Sequence, residues 1–221
     1  MELIGPDDWS PADALLDDLL LDDDPALAAA LTDSQAAGLP AIEVSPQSAR
    51  LLYLLTRISG ASRVLEIGTL GAYSTICLAR GVGAGGRVVT CERDARHAAV
   101  AERNLARAGL ADRVEILVGP ALDTLPTLEA PFDLVFIDAD KENNSHYVRW
   151  AIELGRPGTV VVVDNVVRSG RIVEPADDDG QARAVREMLA MVGAEPRLEA
   201  AALQTVGVKG WDGLLIARVA G

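Results

Sequence analysis

Leu134-Val135-Phe136-Ile137-Asp138-Ala139-Asp140-Lys141 and, further on, Val160-Val161-Val162-Val163-Asp164-Asn165 decide the fold. Each is a short apolar run, rich in Val and Ile, that stops on oxygen-bearing side chains, as a strand buried on both faces of a parallel sheet does. Ser145–Leu154 between them reads as a helix, which makes the segment a βαβ unit. In an open parallel sheet, ligands bind beyond the carboxyl ends of the strands. Asp138, Asp164 and Asn165 fall there. Carboxylate and amide oxygens suit a hard divalent cation such as Mg²⁺, Mn²⁺ or Ca²⁺ better than zinc. Capping of the following helices is the competing use of the same residues. Lys141 follows one short turn after Asp138; a lysine beside a bound cation loses proton affinity and can serve as a base.

Working outward, the alternation continues on both sides. Val64–Ile67, Arg87–Cys91, Val114–Val118, Phe132–Ile137 and Thr159–Val163 read as strands. Helices are expected at Tyr73–Arg80, Asp94–Ala108, Ala121–Leu128, Ser145–Leu154 and near Gln181–Val192. Two final strands, around Leu198–Gln204 and Gly213–Val219, have no helix between them and should pair antiparallel at one edge. The fold class is therefore α/β, a doubly wound, mostly parallel sheet. Before residue 61 the chain reads as helices. Leu15, Leu16, Leu19 and Leu20 make an apolar stripe, Asp24-Pro25 opens a second helix and Ser45-Pro46 a third. This N-terminal segment, residues 1–60, is expected to pack on the 61–221 core within one domain and to cover its site or to contribute to a dimer.

Several patterns carry less than they promise. Gly81-Val82-Gly83-Ala84-Gly85-Gly86 follows a helix and precedes a strand, so it reads as a connection and not as a phosphate cradle. Asp22-Asp23-Asp24 and Asp177-Asp178-Asp179-Gly180 lack the alternating spacing and terminal Glu of an EF-hand and read as solvated loops or caps. His97 and His146 sit on helices and are read as surface residues. The formal charge of −13 disfavours a nucleic-acid or anionic-membrane partner. Two cysteines, Cys77 and Cys91, make neither a disulfide framework nor a zinc site. Met1–Asp8 lacks the basic start and apolar core of a signal peptide. The expectation is a cytoplasmic protein.

Val64-Leu65-Glu66-Ile67-Gly68-Thr69-Leu70-Gly71-Ala72-Tyr73-Ser74 is a strand entering a glycine turn and a helix. Glu92, at the end of the next strand, is placed to meet ribose hydroxyls. A carboxylate at Glu66 opposes the pyrophosphate of a dinucleotide and welcomes a ligand with positive groups. S-adenosylmethionine has a ribose, no phosphate, an ammonium and a sulfonium.

With these residues in hand, the chain resembles the cation-dependent O-methyltransferases, the caffeoyl-CoA and catechol O-methyltransferase family, and in particular its small bacterial members. The likeness spans Pro40-Ala41-Ile42-Glu43-Val44-Ser45-Pro46, the Val64–Ser74 motif, Gly119-Pro120-Ala121-Leu122, Phe136–Lys141, Val163-Asp164-Asn165 and Gly210-Trp211-Asp212-Gly213-Leu214. It implies a single-domain Rossmann-like fold, a seven-stranded sheet with a reversed last strand and helices on both faces. It also implies S-adenosylmethionine contacts by Val44, Glu66, Gly68, Thr69, Ser74, Glu92, Ala121 and Asp138, and metal ligation by Asp138, Asp164 and Asn165. Lys141, with Asp138 beside it, takes the catalytic position. The implied reaction is methylation of one hydroxyl of a small phenolic acceptor, a vicinal diphenol, by a homodimeric enzyme. Asn144, Ser48 and Trp211 depart from the pattern of many relatives and border the expected acceptor pocket, Tyr147 and Trp211 are candidates to line it, and Arg168 is a candidate to bind an acidic substrate tail, an exposed loop arginine being the competing reading. A nicotinamide-dependent oxidoreductase and a noncatalytic adenosyl-ligand binding protein are the alternative classes.

Overall fold

Alternation of side chains along each central strand sorts the core into two layers. Leu65 and Ile67 point to one face with Val135, Ile137, Val161 and Val163; Val64 points to the other with Leu134, Phe136 and Val162. A strand that is apolar on both faces needs cover on both, and helices supply it. The structure, a computed structural model, describes residues 6–221, so the expectation placed on the first five residues lies outside it.

Three helices come first: α1 (Pro6–Leu20), α2 (Pro25–Ala36) and α3 (Pro46–Ile58). The signals read from sequence operate as expected, since Asp24 accepts from the N–H groups of Ala26 and Leu27 and Ser45 from that of Ser48. Asp24 also pairs with Arg80. Then follow β1 (Arg63–Ile67), α4 (Tyr73–Gly81), β2 (Arg87–Glu92), α5 (Ala95–Arg107), β3 (Val114–Val118), α6 (Ala121–Thr124), β4 (Leu134–Ile137), α7 (Asn144–Glu153), β5 (Val160–Asp164), α8 (Gly180–Ala194), β6 (Leu198–Gly207) and β7 (Gly210–Val219). The strand order is β3-β2-β1-β4-β5-β7-β6, with β7 antiparallel to both neighbours and β1 to β5 parallel. The strand order reverses between β1 and β4, since β2 and β3 lie to one side of β1 and β4 and β5 to the other, and the carboxyl ends there open the crevice in which such sheets bind ligands.

Most boundaries lie within a residue or two of the expected ones, and three differences have an evident local cause. The helix expected over Ala121–Leu128 is α6 followed by a 3₁₀ turn at Leu125–Thr127, because Pro126 has no N–H to continue the α ladder. Phe132 precedes β4: its N–H is taken by Leu154 and its carbonyl by the Thr159 hydroxyl. The last two strands are longer than expected, since the Val208-Lys209 turn lets pairing run from Leu198↔Val219 to Gly207↔Gly210. Among the N-terminal helices, α3 packs on α4, α2 on α5 and α1 on β6. The loop between α2 and α3 reaches the strand ends through Ile42, Glu43 and Val44, and α3 reaches the end of β5 through Ser48. No helix among the described residues is long and apolar enough to cross a membrane.

Candidate active site

The carboxyl ends of β1, β2, β4 and β5 surround a cavity of about 700 Å³. Its floor depends on Gly68, at φ 104°, where a Cβ would lie 2.1 Å from the Asp138 carbonyl oxygen. Only glycine lets the turn after β1 press against the end of β4. That turn is held from the side by Glu92, whose carboxylate accepts from the N–H groups of Thr69 (3.3 Å), Leu70 (2.8 Å) and Asp94 (2.9 Å). Val44, Gly68, Thr69, Ser74, Glu92, Ala121 and Asp138 all line the cavity.

Glu66 does not. It is wholly buried below the floor, where Ser74 (2.6 Å), Thr75 (2.5 Å) and Thr90 (2.7 Å) donate hydroxyl hydrogen bonds to it. Burial pushes its carboxyl up to about 7, although the three hydroxyls pull the other way. Its charge therefore lies deeper and is weaker than the sequence argument against a dinucleotide assumed. It adjoins the cavity through Ser74.

At the β4 and β5 ends, Asp138, Lys141 and Asn165 share the cavity wall. Lys141 is buried, and its Nζ donates to Asp138 Oδ1 at 2.8 Å. Asp164 is one step behind, in a small cleft with Val44 and Ser48, and its Oδ1 accepts the Asn165 N–H at 2.7 Å. Burial, and then the like charge of Asp138, raise the Asp164 carboxyl to about 7, while Lys141 lowers it. Asn165 has a left-handed backbone, φ 60°. The described residues hold no cluster of three or more His, Cys, Asp or Glu side chains fit for a metal. The expected set of two carboxylates and an amide is of another kind. Two acids that repel each other beside an amide oxygen match a hard cation's needs.

Sequence reasoning missed four residues of this wall. His97, read as a surface residue, has its Nδ1 3.5 Å from Glu92 Oε1 and lines the cavity. Its place one turn into α5, just after β2, was the available signal. Asp140 accepts from the Tyr147 hydroxyl at 2.6 Å and from Asn143, which makes Tyr147 both a packed core residue and part of the wall. Gln181, at the start of α8, meets Arg168. Trp211 is not in this wall; its ring lies against Gly170, and its Nε1 donates to Gln204. His146 is exposed, as expected. Asn144 is wholly buried, and neither polar atom of its side chain has a partner among the described residues. A larger cavity of about 890 Å³ lies beyond Tyr73, between α1, α2, α3 and α4. Its acids are partly paired with Arg50 and Arg80, and Tyr73 borders both cavities.

Residues 21–219 match the O-methyltransferase family. The chain belongs to that family. The match is of the caffeoyl-CoA and catechol type, and the protein is an S-adenosylmethionine-dependent O-methyltransferase. A protein named catechol O-methyltransferase from Mycobacterium tuberculosis is 62% identical over 208 residues, covering 94% of each chain. Among solved structures, an O-methyltransferase from Bacillus cereus in complex with SAH is 48% identical, with TM-score 0.93 over 96% of this chain and 98% of that one. The O-methyltransferase TomG from Streptomyces achromogenes, described as involved in tomaymycin synthesis and in complex with SAM, is 43% identical. Its TM-score is 0.95, over 99% of this methyltransferase and 100% of that chain. Family membership decides among the three classes of function in favour of methyl transfer.

Proposed function

We propose that the enzyme methylates one hydroxyl of a catechol-type small molecule in a reaction that requires a divalent cation. The observation that carries this reading is the part-buried Lys141–Asp138 pair, in one wall of the cavity with Asn165 and next to Asp164. Val44, Gly68, Thr69, Ser74, Glu92 and Ala121 hold the cofactor, with Glu66 acting behind Ser74. Asp138, Asp164 and Asn165 hold the cation, Mg²⁺ ahead of Mn²⁺ or Ca²⁺. When bound, the cation supplies Lewis acidity toward two adjacent acceptor oxygens. Lys141 would serve as the base once it has given up its own proton: as the free amine, oriented by Asp138, its Nζ would take the phenolic proton, and the phenolate would attack the methyl carbon as its bond to sulfur breaks, leaving the methyl ether and S-adenosylhomocysteine. The dry wall formed by Tyr147 and Val44 excludes water as a competing acceptor.

Matched acceptors test the reading. A 3,4-dihydroxycinnamate should be methylated far faster than the 4-hydroxy analogue, because the second oxygen fixes the approach to the sulfonium. Equal initial rates would remove the vicinal-diphenol assignment.

The same reading extends to a cytoplasmic homodimer. Cys77 and Cys91 are buried free thiols, which suits a reducing compartment. The edge strand β6 exposes Leu203 and Val206, and α1, packed on β6, exposes Leu15, Leu16, Leu19 and Leu20. Asp13 accepts the Val208 N–H and ties the two elements into one surface for a second copy.

A further inference from the structure

Arg168 stands in the cavity wall three residues after Asn165, and the chain goes to some length to put it there. Its φ is 55°, as is that of Ser169, a left-handed conformation that non-glycine side chains rarely adopt. One carboxylate oxygen, Asp212 Oδ1, pins the turn by accepting from the N–H groups of Val167 (3.0 Å), Arg168 (2.9 Å) and Gly213 (2.9 Å). The Trp211 ring braces it from outside at Gly170.

The guanidinium held by this turn lacks an acid of its own. Its Nη2 donates to the neutral Gln181 Oε1, and its Nε is buried with no partner among the described residues. Asp179, the acid that feels its field, is committed to Arg171 and to the N–H of Ala182 at the start of α8. Asp212 is committed to the three backbone donors. A buried donor without an acceptor is costly, and the planar guanidinium fork matches the two oxygens of a carboxylate, or of a phosphate. The setting sharpens the point: a chain with formal charge −13 repels anions in general, so a cation without its own acid inside the cavity marks where one is accepted.

We propose that Arg168 is the residue that sets acceptor specificity, and that it selects catechols carrying an anionic substituent, a carboxylate in the first place. This rests on the catechol reading above. With the two ring oxygens at the Asp138 and Asn165 side, the carboxylate meets Arg168 in the same wall, and Gln181 holds the guanidinium in position.

The test pairs 3,4-dihydroxybenzoate with its neutral isostere 3,4-dihydroxybenzamide, with S-adenosylmethionine and Mg²⁺, in wild type, R168M and R168K. Wild type should favour the acid by roughly ten- to a hundred-fold in kcat/KM, the range expected for a hydrogen-bonded charge, with the effect mainly in KM. R168M should collapse that ratio toward one, and R168K should restore part of it, because lysine keeps the charge but not the fork. Calorimetric binding of the two ligands to the S-adenosylhomocysteine complex should show the same order without turnover. Equal wild-type values for acid and amide, or a proportional loss on both in R168M and R168K, would overturn the role of Arg168 while leaving the catechol reading intact. Absence of transfer to both acceptors would overturn the catechol reading and this proposal with it.

Discussion

The two ends of the cavity are built on different terms. At the β1 and β2 end, the protein satisfies its own polar groups: Glu92 gathers three backbone N–H groups, and Glu66 gathers three hydroxyls. At the β4 and β5 end it does not. Asp138 and Asp164 repel each other, Lys141 has Asp138 as its ion-pair partner, and Arg168 keeps a buried N–H without an acceptor. Backbone strain does not divide this way. Strain is present at both: Leu70 and Ala72 carry positive φ beside Gly68 at the first end, as Asn165, Arg168 and Ser169 do at the second. The first end is a preformed socket. The second has residual charge that a cation and an acceptor would relieve, as expected where chemistry is done.

The largest effects should come from the unsatisfied end. Stripping the enzyme with a chelator should abolish transfer, and Mg²⁺ or Mn²⁺ should restore it, while calorimetry shows S-adenosylmethionine still binding the metal-free protein. Asp164→Ala should reproduce the metal-free state. Full turnover without metal would erase the contrast between the ends. Next in size is Lys141→Met, which keeps the stem and removes the amine. It should lower kcat by ~10²–10⁴-fold, with cofactor affinity nearly unchanged. A wild-type rate across neutral pH would make Lys141 only the partner of Asp138.

The same contrast explains what the sequence disclosed. Strands and their faces were legible because Val64–Ile67, Leu134–Ile137 and Val160–Val163 alternate between two apolar layers. The reversed edge was legible because no helix separates the last two strands. Motif residues at strand ends were legible too, since a strand's end fixes where its last side chain goes. Contacts between distant segments were not. Glu66 reads as a residue at the lip of the turn, yet the period-2 rule that puts Val64 toward α4 also puts Glu66 there, under Ser74 and Thr75. His97 and Gln181 belong to helices whose polar faces look solvated until the fold brings their first turns to the strand ends. Arg168 was legible as a candidate for the acceptor pocket but not as a held one, because nothing local announces that Asp212, far along the chain, holds its backbone.

The smallest effect probes whether the socket end is as satisfied as its hydrogen bonds imply. Burial raises the Glu66 carboxyl from an ordinary 4.5 to about 7, against three donating hydroxyls. A group whose folded value is raised binds more protons in the native state. Its contribution to stability is complete below pH 4.5 and is lost as pH climbs through about 7. The gap corresponds to about 3 kcal/mol. Glu66→Gln has no proton to lose, so the stability of wild type relative to the variant should fall by that order between about pH 4.5 and pH 8. Urea unfolding of both proteins across that range, without cofactor, measures it. If the difference stays level, Ser74, Thr75 and Thr90 hold a fully ionised carboxylate under the turn, and the socket end carries a buried charge that its hydroxyls offset completely. A falling difference means that even the better-satisfied half of the site keeps an electrostatic tension beneath the cofactor.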